Sequence, residues 1–219
     1  MAEPSDIEFF FDPICPFAWV TSRWITAVAP QRGATVAWRF ICLSIVNEGK
    51  DYATDFPPAY PTLHGLGRTL LRVASAARDA GGNDAVAAFY TACGERLHVG
   101  GATGAIWRGE SVPDDLVASI VAAAGLDASL VAAADDAGRD AVLRAESELA
   151  LSRTGPDVGT PILTFDPGRA TESSLFGPVI SKAPTGDEAL ELFDAVRTLA
   201  RTHTFAELKR SLRDPLDFS

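Results

Sequence analysis

One cysteine of this chain stands where a thiol can become a nucleophile. Cys15 lies in the segment Asp-Pro-Ile-Cys-Pro-Phe-Ala-Trp, residues 12–19, between a short apolar stretch and a run that favours a helix. Pro16 suits the first position of that helix, where a backbone N–H has no partner in any case. A thiol at a helix N-terminus meets unpaired N–H groups and the positive end of the helix dipole, and both favour the thiolate. The sequence therefore predicts a nucleophile at Cys15, in preference to a small buried side chain.

The fourth position of the motif, Ala18, limits the thiol chemistry that is open to Cys15. The usual redox motif at such a junction is Cys-x-x-Cys, and here alanine occupies the place of the second cysteine. Cys15 can form a mixed disulfide with another molecule or be oxidised to a sulfenic acid, but no disulfide can form within the motif. The sequence therefore predicts a monothiol cycle and excludes the dithiol one.

The remaining cysteines and the histidines do not suggest a metal centre. Cys42 and Cys93 lie among apolar residues and are interpreted as buried structural thiols. No two cysteines have the spacing of metal ligands, and the three histidines, His64, His98 and His203, are scattered. We therefore expect no metal and no nucleotide cofactor. His64 or His98 could be the base for the nucleophile, although a structural role is the preferred interpretation.

Composition excludes several classes of protein. The 219 residues carry 19 basic and 29 acidic side chains, a net charge of −10, which disfavours nucleic acids and anionic membranes as partners. Three cysteines are an odd number, which argues against a secreted scaffold built on disulfides. The first six residues carry two acids and no base, unlike a secretory signal. We expect a cytoplasmic protein, either a monomer or a homodimer.

The elements around Cys15 are predicted to be a strand, a helix and a second strand, over residues 7–11, 16–29 and 35–43. An alanine-rich block follows, with helices predicted at Thr62–Ala80, Asn83–Leu97, Ser111–Ala124, Ala128–Ala134 and Asp136–Ser152. Strands return at Thr160–Phe165 and Glu172–Phe176, and capping boxes at Thr185 and Thr204 each predict a helix start. This order predicts an α/β domain formed by residues 1–55 and 155–219, interrupted by a helical insertion domain, residues 56–154.

Several motifs stand in an order that resembles a known family. They are Phe-Asp-Pro-x-Cys-Pro-x-x-Trp (residues 11–19), Asn47-Glu48, Tyr90-Thr91, Asp-Val-Gly-Thr-Pro (residues 157–161) and Phe-Gly-Pro-Val (residues 176–179). Together they resemble the DsbA-like thioredoxin family, in particular its actinobacterial mycothiol-dependent nitroreductase-like branch. The resemblance implies a thioredoxin-like fold with an inserted all-helical domain, Cys15 as the catalytic thiol and a cis-proline at Pro161. Members of that branch carry a second cysteine where this chain has Ala18.

The resemblance also implies a set of residues that bind the substrate or its thiol. Those candidates are Pro16, Phe17, Trp19, Asn47, Tyr60, Thr160 and Pro161, of which Phe17 and Trp19 flank the nucleophile and could form a wall for a planar substrate. A low-molecular-weight thiol, mycothiol or glutathione, would supply the sulfur that Ala18 cannot, and the other substrate would be small and could be aromatic. Two alternatives are an enzyme resembling kappa-type glutathione transferases and hydroxychromene carboxylate isomerases, and a redox-inactive binding protein.

Overall fold

The chain divides into two compact units. The structure, a computed structural model, describes residues 5–218. Residues 5–11, 17–39 and 150–218 form the unit that we call the sheet unit, and residues 12–16 and 40–149 form the helical unit. Residues 12–16 and 40–55, which the sequence assigned to the thioredoxin-like part, thus group by proximity with the inserted helices. The evolutionary domain boundaries at 55/56 and 154/155 stay a prediction.

A four-stranded sheet is the centre of the sheet unit. Its strands are β1 (Ile7–Phe11), β2 (Val36–Phe40), β3 (Ile162–Phe165) and β4 (Ser173–Phe176), in the spatial order β2-β1-β3-β4. Strand β3 is antiparallel to both of its neighbours, with Leu163 opposite Phe9 on one side and opposite Leu175 on the other. Every residue of β1 and β3 is buried, as expected for aromatic and aliphatic runs at the centre of a sheet. The two strands predicted over residues 160–165 and 172–176 are confirmed, and they pair as a hairpin.

The α-helices of the described residues are α1 (Pro16–Val28), α2 (Leu43–Val46), α3 (Tyr60–Gly94), α4 (Ala102–Trp107), α5 (Leu116–Ala123), α6 (Asp140–Thr154) and α7 (Gly186–Arg201). In the sheet unit, the Trp24 indole on α1 donates a hydrogen bond to the Ala189 carbonyl on α7 (2.9 Å). Both residues are buried, so Trp24 is a core residue of the sheet unit. This contact joins the helix that follows Cys15 to the last helix of the chain.

Helix α3 is two helices joined at a kink. Gly81 and Gly82 leave helical geometry, and Gly82 has φ of +67°, in the left-handed region that only glycine adopts without strain. The predicted break between Ala80 and Asn83 is therefore confirmed. After α3, residues Glu95–Val99 form a wide π-type turn in which the Gly100 N–H reaches the Glu95 carbonyl. Such turns insert an extra residue into a helix and change the direction of the side chains that follow.

Several predicted helix bounds are wrong. Helix α6 begins at Asp140 rather than Asp136, and the helix predicted at Ala128–Ala134 is a 3₁₀-helix, Ala128–Asp135. Helix α5 begins at Leu116 rather than Ser111, because residues 111–115 run as a loop and turn ahead of its apolar face. The capping box at Thr204 is followed by no helix. The chain beyond it leaves Leu208 and Leu212 more than four-fifths exposed, and a capping box without a buried face gains too little to hold a helix. Within residues 5–218, no helix has the length and apolar character needed to cross a membrane.

Candidate functional site

The predicted nucleophile lies on a short loop that precedes α1. Residues 12–16, which we call the Cys15 loop, follow β1, and Pro16 is the first residue of the helix. Cys15 is a half-buried thiol outside any disulfide. Its backbone N–H donates to the Asp12 carbonyl (3.0 Å), which closes a tight turn just before the helix begins. The structure therefore gives Cys15 the helix N-terminal location that the sequence predicted.

Asp12 is a buried carboxylate at the start of this loop. Its Oδ2 accepts a hydrogen bond from the Leu43 N–H (2.8 Å), the first residue of α2, and its Oδ1 accepts from the Ile14 N–H (3.2 Å). The side chain is completely buried, and no described ion pair includes it. Burial raises the pKa of the Asp12 carboxyl to about 7, against the two backbone hydrogen bonds, which lower it. Asp12 thus changes charge near neutral pH.

Gly67 of α3 lies directly against Asp12. A β-carbon at this glycine would stand 2.5 Å from Asp12 Oδ1 and 3.1 Å from Cγ, closer than real β-carbons approach other atoms. Gly65, two residues earlier on the same helix, is exposed and has open space around it. The close approach of α3 to the Cys15 loop therefore depends on the absence of a side chain at Gly67.

His98 holds the same loop from the π-type turn. Its Nε2 lies 3.0 Å from the Pro13 carbonyl oxygen. A carbonyl can only accept, so Nε2 carries the proton. Burial lowers the pKa of His98 to about 4, against the Pro13 hydrogen bond, which raises it. His98 is therefore neutral at pH 7 and serves as a hydrogen-bond donor to the loop, which agrees with the structural role preferred from the sequence.

The two other cysteines are buried, as predicted, and both lie near Asp12. Burial raises the pKa of the Cys42 thiol to about 12, and the negative charge of Asp12 raises it further. Burial and the Asp12 charge also raise the pKa of Cys93 well above its ordinary value. The Cys42 N–H donates a hydrogen bond to the Ser147 hydroxyl oxygen (2.9 Å). Both thiols stay protonated at neutral pH, so neither is suited to nucleophilic attack.

Asn47 and Tyr60, two predicted binding residues, also belong to the helical unit. Asn47 directly follows α2 and is buried, and its side-chain amide donates to the carbonyl of Leu43, the first residue of that helix (2.8 Å). Tyr60 is half-buried within a group of rings that we call the aromatic cluster. Its members are Tyr52, Phe56, Tyr60, His64 and Trp107, and Tyr60 stacks on Phe56 with the ring centroids 5.2 Å apart.

The aromatic cluster borders the neighbourhood of Asp12. The Tyr52 hydroxyl and His64 Nδ1 share a hydrogen bond of 2.7 Å. Burial raises the pKa of Tyr52, and electrostatic interactions with Cys42, Asp12 and Glu48 raise it further, so the phenol lies within electrostatic reach of the Cys15 loop. Burial lowers the pKa of His64 to about 4, with a smaller effect from Lys50. The cluster thus offers neutral ring surface, including Trp107 with half of its area exposed.

The sequence identified only Tyr60 as a binding residue of this cluster. The missed signal is a four-residue spacing, since Tyr52, Phe56, Tyr60 and His64 recur at every fourth position. Residues 51–61, which are rich in proline, tyrosine and aspartate, favour a loop, where a spacing typical of one helix face is not expected. Asp12, Gly67 and the Cys15-loop contact of His98 were also missed.

The other predicted binding residues lie in the sheet unit. Phe17 is half-buried, and the Arg213 guanidinium lies 5.1 Å from its ring centroid. Trp19 is 1% exposed, with the Arg23 guanidinium 4.0 Å from its ring centroid, so its ring packs inside the protein. Its role in a substrate wall stays a prediction.

Thr160 and Pro161 lie at the head of β3. The Thr160–Pro161 peptide bond is cis. The Thr160 hydroxyl donates to the Phe10 carbonyl (2.9 Å), and the Pro161 carbonyl accepts from the Gly177 N–H (2.8 Å). Both residues are buried. Their predicted contact with a substrate thiol stays a prediction.

A cavity elsewhere in the helical unit lies apart from this chemistry. Among residues 5–218, no three histidine, cysteine, aspartate or glutamate side chains are grouped so that they could hold a metal ion. A cavity of about 680 Å³ lies in the helical unit between the second half of α3 and α5, lined mainly by small side chains such as Ala88, Ala92 and Ala123. None of its lining residues belongs to the Cys15 loop or to the aromatic cluster.

Residues 14–210 match the family described as Rv2466c-like, mycothiol-dependent nitroreductase Rv2466c. The chain belongs to this family. The match begins one residue before Cys15 and extends through the last helix, so it covers both units. The family named by the comparison is the branch to which the sequence motifs pointed.

A relative from Mycobacterium tuberculosis (strain ATCC 25618 / H37Rv), the uncharacterized protein Rv2286c, is 30% identical over 214 residues. The aligned region covers 96% of this chain and 84% of the relative.

Two solved structures have the same fold. One is a 2-hydroxychromene-2-carboxylate isomerase, with a TM-score of 0.55 and 14% identity over 92% of this chain and 99% of that one. The other is a probable DsbA oxidoreductase, SCO1869 from Streptomyces coelicolor, with a TM-score of 0.52 and 20% identity over 95% and 93%. The predicted α/β class and thioredoxin-like fold are therefore confirmed.

Proposed function

We propose that the protein is a thiol-dependent oxidoreductase that works through Cys15 and a low-molecular-weight thiol. One observation carries the proposal: a half-buried thiol directly precedes α1, while alanine occupies the position of the second cysteine in the motif. Membership in a family described by mycothiol-dependent nitroreduction supports a small-thiol partner. Mycothiol is the thiol proposed first, with glutathione as the comparison.

The proposed cycle has a balanced set of exchange steps. The Cys15 thiolate attacks one sulfur of a substrate disulfide, the substrate S–S bond breaks, and the departing sulfur takes a proton from water. A low-molecular-weight thiolate then displaces the bound substrate sulfur from Cys15, and a second one removes the first as a symmetric disulfide. Two small thiols are thereby oxidised and one substrate disulfide is reduced to two thiols, with Cys15 regenerated.

The burial of Cys42 and Cys93 supports an external thiol as the resolving group. Both side chains are fully buried, and the pKa of each thiol is raised. Only the thiolate attacks a disulfide, so neither residue suits the resolution of a mixed disulfide on Cys15 at neutral pH. The expected cytoplasmic location belongs to the same proposal, because the cycle consumes thiols that a reducing compartment maintains.

We propose the aromatic cluster as the surface that contacts a planar substrate. Phe56 and Tyr60 present stacked rings, and Trp107 meets Tyr60 edge-on at 5.4 Å with half of its surface exposed. Offset and edge-to-face arrangements of this kind accept a further flat ring at little cost. The electrostatic coupling of Tyr52 to Asp12 supports a location beside the Cys15 loop.

Thiol consumption with bis(2-hydroxyethyl) disulfide tests the proposed function. Wild-type protein with mycothiol or glutathione is expected to oxidise two thiols for each disulfide reduced, and Cys15→Ser is expected to show no turnover. Cys93→Ala is the matched control, because Cys93 is buried in α3 and is expected to leave turnover unchanged. Saturable thiol binding without thiol consumption would instead indicate a transferase, an isomerase or a redox-inactive binding protein.

A further inference from the structure

The Asp12 side chain connects the Cys15 loop to two helices of the helical unit. Through Oδ2 it accepts the N–H of Leu43 at the start of α2, and through Oδ1 it accepts the N–H of Ile14 inside the loop. Oδ1 also faces the Gly67 position of α3. The Asp12 carboxylate therefore contacts α2, α3 and the Cys15 loop itself.

Packing alone does not explain why position 12 carries a buried carboxylate. Complete burial of a carboxylate without an ionic partner is unfavourable, and the ion pairs of residues 5–218 do not include Asp12. The titratable groups that surround it are Cys42 beside α2, Cys93 on α3 and Tyr52 of the aromatic cluster, and each is neutral at pH 7. None of them offsets the charge, so the carboxylate is held by backbone N–H groups.

We propose that Asp12 is a positioning residue for Cys15, and that position 67 is glycine because it leaves room for the Asp12 carboxylate. The inference rests on the proposed role of Cys15 as the nucleophile. Because the Cys15 N–H also bonds to the Asp12 carbonyl, a displacement of Asp12 moves the backbone of the reactive residue itself. Asp12 acts through this backbone and takes no part in bond breaking.

Gly67→Ala and Gly65→Ala form a matched pair that tests the proposal. Both glycines lie in the first half of α3, and alanine favours a helix at either position. The new β-carbon at position 67 meets Asp12 Oδ1, whereas the one at position 65 meets open space. Asp12 cannot simply rotate away, because two backbone N–H groups hold its oxygens.

The readout is the rate at which iodoacetamide alkylates Cys15, followed by mass spectrometry of the peptide that contains it, as a function of pH. Gly67→Ala is expected to move the midpoint of this curve by at least half a pH unit towards the value of a free cysteine, about 8.5. Gly65→Ala is expected to superimpose on wild type. A loss of packing elsewhere in the unit would not move a midpoint that belongs to Cys15.

A double-mutant cycle assigns the effect to Asp12. In an Asp12→Ala background no carboxylate remains for the new β-carbon to meet, so adding Gly67→Ala is expected to change the Cys15 midpoint no further. Asp12→Asn keeps the side-chain shape but replaces one acceptor oxygen by a donor. It is expected to move the midpoint towards about 8.5, as Gly67→Ala does, whereas loss of the Asp12 charge alone would lower the midpoint. The direction of the shift therefore separates a displaced loop from a charge effect, and Asp12→Asn provides the test if Gly67→Ala does not fold.

The outcomes separate this inference from the proposed function. Equal curves for Gly67→Ala, Asp12→Asn and wild type would overturn the positioning role of Asp12. Additive effects in the double variant would overturn the explanation of Gly67. A wild-type midpoint near 8.5 would count against Cys15 as an activated nucleophile. This test of the proposed function uses the wild-type curve alone and is independent of the variants.

Discussion

Gly67 and Asp12 approach so closely that a β-carbon on the glycine would lie 2.5 Å from the Asp12 Oδ1 atom. This relationship joins a helix in the middle of the chain to the loop that carries Cys15. It explains why a residue that weakens helices is present in the buried face of α3. Gly67, a poor helix former, thus stands where a side chain would collide with Asp12 of the Cys15 loop.

The two glycine substitutions are predicted to change stability in opposite directions. Gly65→Ala is expected to raise the free energy of unfolding by about 0.5–1 kcal/mol, because alanine loses less backbone entropy in a helix. Gly67→Ala is expected to lower it by about 1–3 kcal/mol, the range for overpacking a buried site. Urea denaturation of both variants beside wild type measures the difference. Stabilisation by both substitutions would show that the Asp12 side chain moves aside without lowering the free energy of unfolding.

Asp12 is predicted to make stability fall as the pH rises towards neutrality. Its pKa is 3.8 in the ordinary state and about 7 in the folded protein, so between these values the folded state holds a proton that the unfolded chain has released. Asp12→Asn cannot titrate. Between about pH 4 and pH 7, the free energy of unfolding of wild type is therefore expected to fall relative to that of Asp12→Asn. The expected slope is about 1.4 kcal/mol per pH unit, a few kcal/mol in all.

Urea titrations of wild type and Asp12→Asn at pH 4.5, 6 and 8 provide this measurement. Other groups titrate equally in the two proteins, so their contributions cancel in the difference. A difference that stays constant over the three pH values would contradict the assignment of a near-neutral titration to Asp12.

His98 is predicted to have the opposite pH dependence. Its pKa falls from 6.5 to about 4 on folding, so the unfolded chain binds the extra proton first, and stability is lost as the pH falls from about 6.5 to about 4. His98→Gln keeps an N–H donor for the Pro13 carbonyl and removes the titration. Its stability relative to wild type is expected to rise on acidification, by thermal or urea unfolding. His203→Gln, at an exposed position, is the control and should follow wild type.

Trp107 is predicted to contribute to binding of planar substrates. Removing its half-exposed ring takes away the edge-on partner of Tyr60, so Trp107→Ala is expected to raise KM for an aromatic substrate about threefold to tenfold while kcat changes little. Val99→Ala is the comparison, since Val99 is also 50% exposed and belongs to the same unit but not to the cluster. Equal KM values in the two variants would remove the cluster from the proposed substrate surface.

Restoring the dithiol is predicted to create an internal disulfide. Position 18 is one helical turn beyond Cys15, and residues at this spacing lie on the same side of a helix. Ala18→Cys is expected to oxidise to a species 2 Da lighter than its reduced form and to lose its requirement for an external resolving thiol. Because Ala18 is fully buried, the added sulfur is expected to lower stability by about 1 kcal/mol or more. Persistence of alkylatable thiols at both position 15 and position 18 after oxidation would contradict this prediction.

Local patterns predicted the strands of the sheet and the location of Cys15 directly before α1. The aromatic run of β1, the proline at the first position of α1 and the capping box before α7 are signals that reside within a few residues of each element. The β3–β4 hairpin follows in the same way from its turn. The capping box at Thr204 shows the limit of such signals, because a cap without an apolar face does not make a helix.

The contacts that position Cys15 could not be read from local patterns. Asp12 looks like the end of a strand at an Asp-Pro turn, and its burial depends on Leu43 and Gly67, which are far away in the sequence. The hydrogen bond from His98 to the Pro13 carbonyl spans 85 residues. Each of these relationships exists only once the chain has folded.

The mass of the Cys15 peptide after incubation with an oxidised small thiol tests the central claim most directly. Wild-type protein treated with the disulfide form of mycothiol or glutathione is expected to carry one thiol adduct, on Cys15 alone. Subsequent treatment with the reduced thiol is expected to remove this adduct. Cys15→Ser is expected to carry none. An unmodified Cys15, or undiminished turnover in Cys15→Ser, would contradict a monothiol cycle at this residue.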